Sequence, residues 1–296
     1  MTSQFQTPAA MRRGLTDRLR ILAASGRWTL PQLQRLIAYD RLLERLYRRS
    51  DGWIVKGAAA LLAREIGVRA TIDLDVYRAG EVGRSESDLR EAALIDLEDW
   101  FVFEIGSPRA AGDVGVGRRL PVTSTIGGAI WSSFHVDLVS GLTMIGKPDR
   151  VAALAPLGLP SVKQGGYLAY PLIDHIADKV AAMYELHGSA AMPSTRYRDL
   201  VDLVAIALVA SPTADPLRKA IRSEESRRGL RLPRHLVVPD RSLWTGGYAA
   251  EARRSLLTEG RTLDAAIEVA GSLLNPILDG TGRGKWDPSL RSWGPG

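Results

Sequence analysis

Asp73 and Asp75 stand one residue apart in the run ATIDLDVY, residues 70–77. Ile72, Leu74 and Val76 alternate there with Thr71, Asp73, Asp75 and Tyr77, the period-two pattern of a strand with one apolar face. A strand puts both carboxylates on the other face, about 6–7 Å apart at their Cα atoms. Oxygens so placed can converge on one or two magnesium ions, which bridge phosphate oxygens and activate an attacking hydroxyl. Asp137 lies in a second alternating run, residues 129–140, between Val136 and Leu138. Strand interiors disfavour aspartate, so Asp137 is the candidate third metal ligand beside Asp73 and Asp75. His135 is read as an ordinary half-buried histidine, with lining the site as the alternative.

These carboxylates need elements that bring a substrate to them. Trp53, Ile54 and Val55 form a short apolar run that ends at Lys56-Gly57, and AAALLARE follows, rich in helix formers. The order is strand, glycine turn, helix, then a strand carrying Asp-x-Asp. Gly57 lets the backbone approach a polyphosphate, and the bare N–H groups of the helix N-terminus can receive it. On the residues alone, a solvated strand with unremarkable aspartates remains the competing reading.

A second constellation lies in the other half of the chain. Asp178-Lys179 sits in IADKVAAMYEL, and TRYRDLVDL carries Thr195, Arg196, Arg198, Asp199 and Asp202. Asp199 and Asp202 share a helix face near the end that favours acids. Their spacing fits a helix cap with an interhelical Lys179–Asp199 salt bridge as well as it fits a functional cluster.

The two stretches together resemble a known group. Lys56-Gly57 and Arg69-x-Thr71-x-Asp73-x-Asp75, then Asp178-Lys179 and Arg196-x-Arg198-Asp199-x-x-Asp202, resemble the AbiEii/AbiGii toxin branch of the DNA polymerase β-like nucleotidyltransferases, MenT-like toxins included. Ala58 departs from the usual Gly or Ser after the first glycine, and Arg198 replaces a common lysine. The resemblance covers roughly residues 41–208. It implies catalytic roles for Asp73, Asp75, Lys179 and Asp199, with Lys179 meeting the NTP and Asp199 orienting it or touching the acceptor. Lys56, Gly57, Ala58, Arg69, Thr71, Arg196 and Arg198 are then the nucleotide-binding candidates. The implied reaction is Mg2+-dependent transfer of NMP from an NTP to RNA, tRNA above all, by the toxin of a toxin–antitoxin pair with a cognate antitoxin as partner. Transfer to a protein or an antibiotic is the rival chemistry, and a catalytically silent RNA- or nucleotide-binding module is the rival class. A catalytic Lys179 should be replaceable by Ala with little loss of stability.

Composition is compatible with this. The chain has 296 residues, 45% hydrophobic and 24% charged, with no cysteine, which excludes disulfides, thiol catalysis and cysteine-bound zinc. No apolar run is long enough for a membrane span and no signal-peptide core is evident, which suits the cytoplasm. A net charge of +6 favours polyanionic partners. The stretch RKAIRSEESRRGLRLPR, with Arg218, Lys219, Arg222, Arg227, Arg228, Arg231 and Arg234, is a candidate phosphate track.

The expected fold is α/β and bilobed: a nucleotidyltransferase domain over 1–150, with a mixed sheet and flanking helices, then a helical domain over 151–296. The first ten residues look disordered. Helices are expected over 11–24 and 31–49, the second with Arg35, Arg41, Arg45, Arg48 and Arg49 on one face, read as solvated in preference to an RNA-binding stripe. Another is expected over 87–101 with Ser87 as N-cap, then a loop with weak strands over 104–119 and a hairpin of strands 120–126 and 129–140 around Gly127-Gly128. Residues 146–166 look like the interdomain connection. Helices follow over 172–186 and 197–210, and the Gly-Arg-Gly-Lys-Trp tail should be loose.

Overall fold

The computed structural model describes residues 5–111, 117–154, 165–188 and 191–295. The chain forms two compact units, one of Met1–Arg64, Ala70–Leu142 and Asp149–Ala169, the other of Glu65–Arg69, Thr143–Pro148 and Tyr170–Gly296.

The first unit is a mixed sheet with helices. In chain order it holds α1 (Pro8–Ala23), α2 (Leu30–Arg49), β1 (Ile54–Val55), α3 (Gly57–Ala63), β2 (Asp73–Tyr77), α4 (Val82–Ala93), β3 (Phe101–Ile105), β4 (Arg109–Ala111), β5 (Gly117–Ile126), β6 (Ala129–Val139), β7 (Asp149–Val151) and β8 (Tyr167–Ala169). The strand order is β3-β5-β6-β2-β1-β8-β7, with β4 paired to β5. Strand β2 runs parallel to β6 and antiparallel to β1. The β5–β6 hairpin turns at Gly127 and Gly128, both at positive φ, as a two-residue turn demands.

Alternation sorts the two faces of this sheet. Leu74, Val76, Leu120, Val122, Phe134, Val136 and Leu138 are buried in one core with Ile37, Tyr39, Leu42 and Leu46 of α2 and Leu89 of α4. The Tyr39 ring meets Phe134 edge-on at 4.8 Å. Each buried aliphatic side chain contributes about 1.5–3 kcal/mol. Asp73, Asp75 and Asp137 are thereby left on the opposite face.

Several expectations fail locally. Order begins earlier than expected: Pro8 opens α1 and the Thr7 hydroxyl caps it, accepting from the Ala10 N–H at 3.1 Å. Arg41 and Arg45 of α2 are buried, not solvated. Their guanidinium groups bind Asp99 at 2.7 Å each, and Arg45 also donates to the carbonyls of Ile95 and Phe101. Asp99 reaches them because α4 runs over Val82–Ala93 and the chain then leaves helical geometry, with Glu98 and Trp100 at positive φ. Ser87 is therefore inside the helix and caps nothing. Of the expected loop with weak strands over 104–119, residues 104–105, 109–111 and 117–119 are strand; residues 112–116, and 155–164 of the expected connection, lie outside the described residues.

The second unit is a helical bundle of α5 (Leu172–Tyr184), α6 (Tyr197–Val209), α7 (Ala214–Arg228), α8 (Arg241–Arg253) and α9 (Leu263–Leu278), with two small ribbons, β9 (Leu186–His187) with β10 (Met192–Pro193) and β11 (Lys285–Asp287) with β12 (Ser292–Gly294). Helix α6 is the central element, buried along Asp199–Ala207 and packed on α5, α8 and α9. The tail is not loose. Trp286 is buried, its indole N–H donates to the Ala207 carbonyl at 2.9 Å, and its ring meets Trp293 at 5.7 Å.

Candidate active site

The acidic face of the sheet is built by register. Asp75 is the cross-strand partner of Asp137 and Asp73 that of His135, on parallel neighbours β2 and β6, which lie about 4.8 Å apart. On the far side of β6, Arg119 of β5 is the partner of the same Asp137. Its guanidinium forks onto that carboxylate, Nε to Oδ1 at 2.8 Å and Nη2 to Oδ2 at 2.6 Å. Nη2 also lies 3.5 Å from Asp73 Oδ1, and His135 Nδ1 lies 3.5 Å from the same oxygen. Neither contact is a hydrogen bond. Asp73 Oδ1 is buried without a hydrogen-bond partner.

Strand β2 is fixed at its start and along its β1 side. The Thr71 hydroxyl is used locally, accepting from the Asp73 N–H at 3.1 Å and donating to the Asp73 carbonyl at 2.9 Å. Arg35 and Tyr39 of α2 donate to the Thr71 carbonyl at 3.1 and 3.3 Å. Burial pushes the Tyr39 hydroxyl pKa well up, and the negative charge of Asp73 and Asp75 adds to this against Arg35. On the other side the Lys56 N–H donates to the Asp75 carbonyl at 2.8 Å. That bond seats Gly57, at φ +58°, directly against the Asp75 carboxylate, where an added Cβ would overlap the carboxylate oxygen. Lys56 and Ala58 are both buried.

Gly57→Ala is therefore expected to act on Asp75. The left-handed backbone costs an L-residue about 1–2 kcal/mol, and the new methyl displaces the carboxylate. A displacement of about 1 Å at a reacting centre lowers turnover by about 100-fold. Steady-state transfer kinetics beside thermal unfolding check this, and a stable variant with unchanged kcat would contradict it.

The donor set fits magnesium. Asp73 and Asp75 offer hard oxygen ligands, one of them an orphaned buried oxygen, and magnesium needs only one or two carboxylates besides substrate phosphates. Among the described residues no group of three acidic or histidine side chains is arranged to hold an ion. Arg119 takes both oxygens of Asp137, the expected third ligand.

The second unit holds the other constellation as a closed ionic cluster. Lys179 Nζ donates to Asp199 Oδ1 at 2.8 Å and to Asp202 Oδ2 at 2.7 Å. Arg69 forks onto Asp202 at 2.9 and 2.7 Å. Lys179 is buried on α5, and both aspartates are buried on α6. Burial raises the Asp202 pKa, but Lys179 and Arg69 outweigh it and hold this carboxyl down to about 2. Burial likewise works against the Lys179 charge, and Asp199 and Asp202 outweigh it, so its pKa is raised. Arg196 and Arg198 are more exposed, Arg196 3.9 Å from Asp199 Oδ2 and Arg198 paired with Glu251 at 3.1 Å.

The signs of these two shifts define a window. A depressed Asp202 stabilises the fold above its unfolded pKa of about 3.9, and that contribution is lost as pH falls toward the folded value. A raised Lys179 stabilises fully below about 10.4 and loses this only as pH rises through its folded value. The cluster's contribution should be level between about pH 5 and 9 and fall steeply below about pH 4. Thermal midpoints of the full chain against pH check this; a midpoint level down to pH 2 would contradict it.

The pattern across both units matches one family model, "Nucleotidyl transferase AbiEii toxin, Type IV TA system", over residues 41–269. The chain belongs to the AbiEii nucleotidyltransferase toxin family. Among solved structures it is similar to the nucleotidyltransferase toxin MenT4 from Mycobacterium tuberculosis, at 17% identity and TM-score 0.51, over 95% of this chain and 100% of that one. It is also similar to JHP933 from Helicobacter pylori, at 13% identity and TM-score 0.47, over 83% of this chain and 93% of that one. No curated protein sequence matches the chain. Membership of this family makes the chain a nucleotidyltransferase and implies a cognate antitoxin.

For this nucleotidyltransferase the structure brings Gly57, Asp73, Asp75 and Asp137 together in one unit, and Arg69, Lys179, Asp199 and Asp202 in the other. It ties Thr71 to its own strand. Arg119 was not legible as a site residue, because its stretch reads as loop; a strand begun at Gly117 would have put it opposite Asp137. The arginine track needs correction at Arg228, whose guanidinium is held by Asp178, Glu185 and Glu224. Arg227 pairs with Glu224 and Arg218 with Asp215. Lys219, Arg222, Arg231 and Arg234 are exposed.

Proposed function

We propose that this nucleotidyltransferase transfers NMP from an NTP to a hydroxyl of RNA, with the 3′ end of tRNA as acceptor, and acts in the cytoplasm. The observation that carries the chemistry is the shared sheet face of Asp73, Asp75 and Asp137 beside the bare backbone of Gly57. Asp73 and Asp75 would hold magnesium, with Asp137 beside them. Bound there, the ion lowers the pKa of the attacking hydroxyl and offsets charge developing on the phosphates.

The chain's own residues do the rest. Gly57 lets the Asp75 carboxylate sit directly against the backbone, and the Lys56 N–H bond to the Asp75 carbonyl fixes that approach. The acceptor oxygen bonds to the α-phosphorus, the bond to the β-phosphate oxygen breaks, and pyrophosphate leaves. Lys179 and Asp199, with Arg196 and Arg198 nearby, are assigned to the nucleotide and acceptor on the family's pattern.

Support for an RNA acceptor comes from the net charge of +6 and the exposed basic residues of α7 and its C-terminal flank. No described helix is long and apolar enough to cross a membrane. Each of the four α-labelled NTPs, incubated with the protein and a cell extract, tests the acceptor. Label in the tRNA fraction is expected. Label confined to polypeptide or to a small molecule would replace this acceptor with the rival one.

A further inference from the structure

Arg119 belongs to none of the motifs that identify the site, yet it sits inside it. Its fork takes both oxygens of Asp137, and its Nη2 lies 3.5 Å from the orphaned Asp73 Oδ1, as does His135 Nδ1. Three carboxylates share this face, and Arg119 bridges two of them. Hydrogen bonding to Asp137 raises the guanidinium pKa against the cost of burial, and Asp73 and Asp75 add to it. The side chain is also 42% exposed, so it is anchored by charge and not by packing. Its neighbour Arg118 points elsewhere, onto Glu86 of α4.

Two cations cannot both use these oxygens at full strength. A divalent ion among Asp73, Asp75 and Asp137 meets a unit positive charge already seated there, and each weakens the other's binding reciprocally. A guanidinium fork that leaves a carboxylate has a ready alternative, since its geometry matches phosphate equally well. We propose that Arg119 is the resting counter-ion of the carboxylate face: it competes with the divalent ion for Asp137 and passes to the nucleotide's phosphates when both ligands arrive. Metal and nucleotide then bind cooperatively, because the nucleotide takes up the arginine that the metal displaces. This rests on the magnesium reading above.

The test is a titration of the full chain with MnCl2, followed by the electron paramagnetic resonance of free Mn2+, with and without a non-hydrolysable NTP analogue. Wild type, Arg119→Gln, Arg119→Lys and Arg118→Gln are compared, with circular dichroism as the check on folding. Without nucleotide, Arg119→Gln should bind Mn2+ about tenfold tighter than wild type, equivalent to about 1.4 kcal/mol. The nucleotide's enhancement of Mn2+ binding should shrink in the same variant. Arg119→Lys, which keeps the charge but not the fork, should fall between and serves if the glutamine variant does not fold. Arg118→Gln removes an equal charge nearby and should change affinity far less. Equal or weaker Mn2+ binding by folded Arg119 variants, with wild type binding normally, overturns the counter-ion role alone. No Mn2+ binding by any of the proteins, even with nucleotide, overturns the magnesium reading along with it.

Discussion

Asp73→Asn should leave the chain folded and cut nucleotide transfer by at least about 1,000-fold. Loss of a metal-ligand charge removes several kcal/mol of transition-state stabilisation, and each 1.36 kcal/mol is a factor of ten in rate. The fold should tolerate the change because Asp73 Oδ1 has no hydrogen-bond partner to lose, and the carboxylate makes only 3.5 Å contacts with Arg119 and His135. The thermal midpoint should move by no more than an ordinary surface substitution, about 0.5 kcal/mol. Transfer rate and unfolding are measured on the same preparation. A folded Asn variant within tenfold of wild type would remove Asp73 from the chemistry.

Lys179→Ala should behave in the opposite way and destabilise strongly. Its ammonium is the shared partner of two buried carboxylates, so truncation leaves Asp199 without it and Asp202 with Arg69 alone. Breaking a buried pair from one side costs about 3–5 kcal/mol, a fall in midpoint on the order of 10 °C. Burial of the cluster argues against the sequence expectation of a nearly unchanged stability. Calorimetry of the full chain checks it, with activity expressed per folded molecule. A midpoint within about 1 °C of wild type would mean that the cluster is not the structural tie its distances describe.

The legible part of the fold is the part governed by short periods. Alternation in β2 and β6 was enough to put Asp73, Asp75 and Asp137 opposite the core, and Gly57 and the Gly127-Gly128 turn mark backbone that only glycine adopts easily. What alternation cannot say is which polar residue finds a buried partner far along the chain. Arg41 and Arg45 look like solvent-facing residues of an amphipathic helix, yet Asp99, more than fifty positions away, takes them into the interior. The same holds for Arg228, read as a phosphate contact and found in a carboxylate cluster. Arg119 shows the opposite failure. Flanking glycines made its stretch look like loop, so its register with Asp137 was invisible until the strand was.

The most direct measurement compares two labelled forms of one NTP, α-32P and γ-32P, incubated with the protein, tRNA and magnesium. Nucleotidyl transfer predicts that the α label appears in the RNA, the γ label leaves as pyrophosphate, and Asp73→Asn yields neither. Appearance of the γ label on the acceptor, with the α label remaining on free nucleotide, would make this a phosphotransferase and contradict the account.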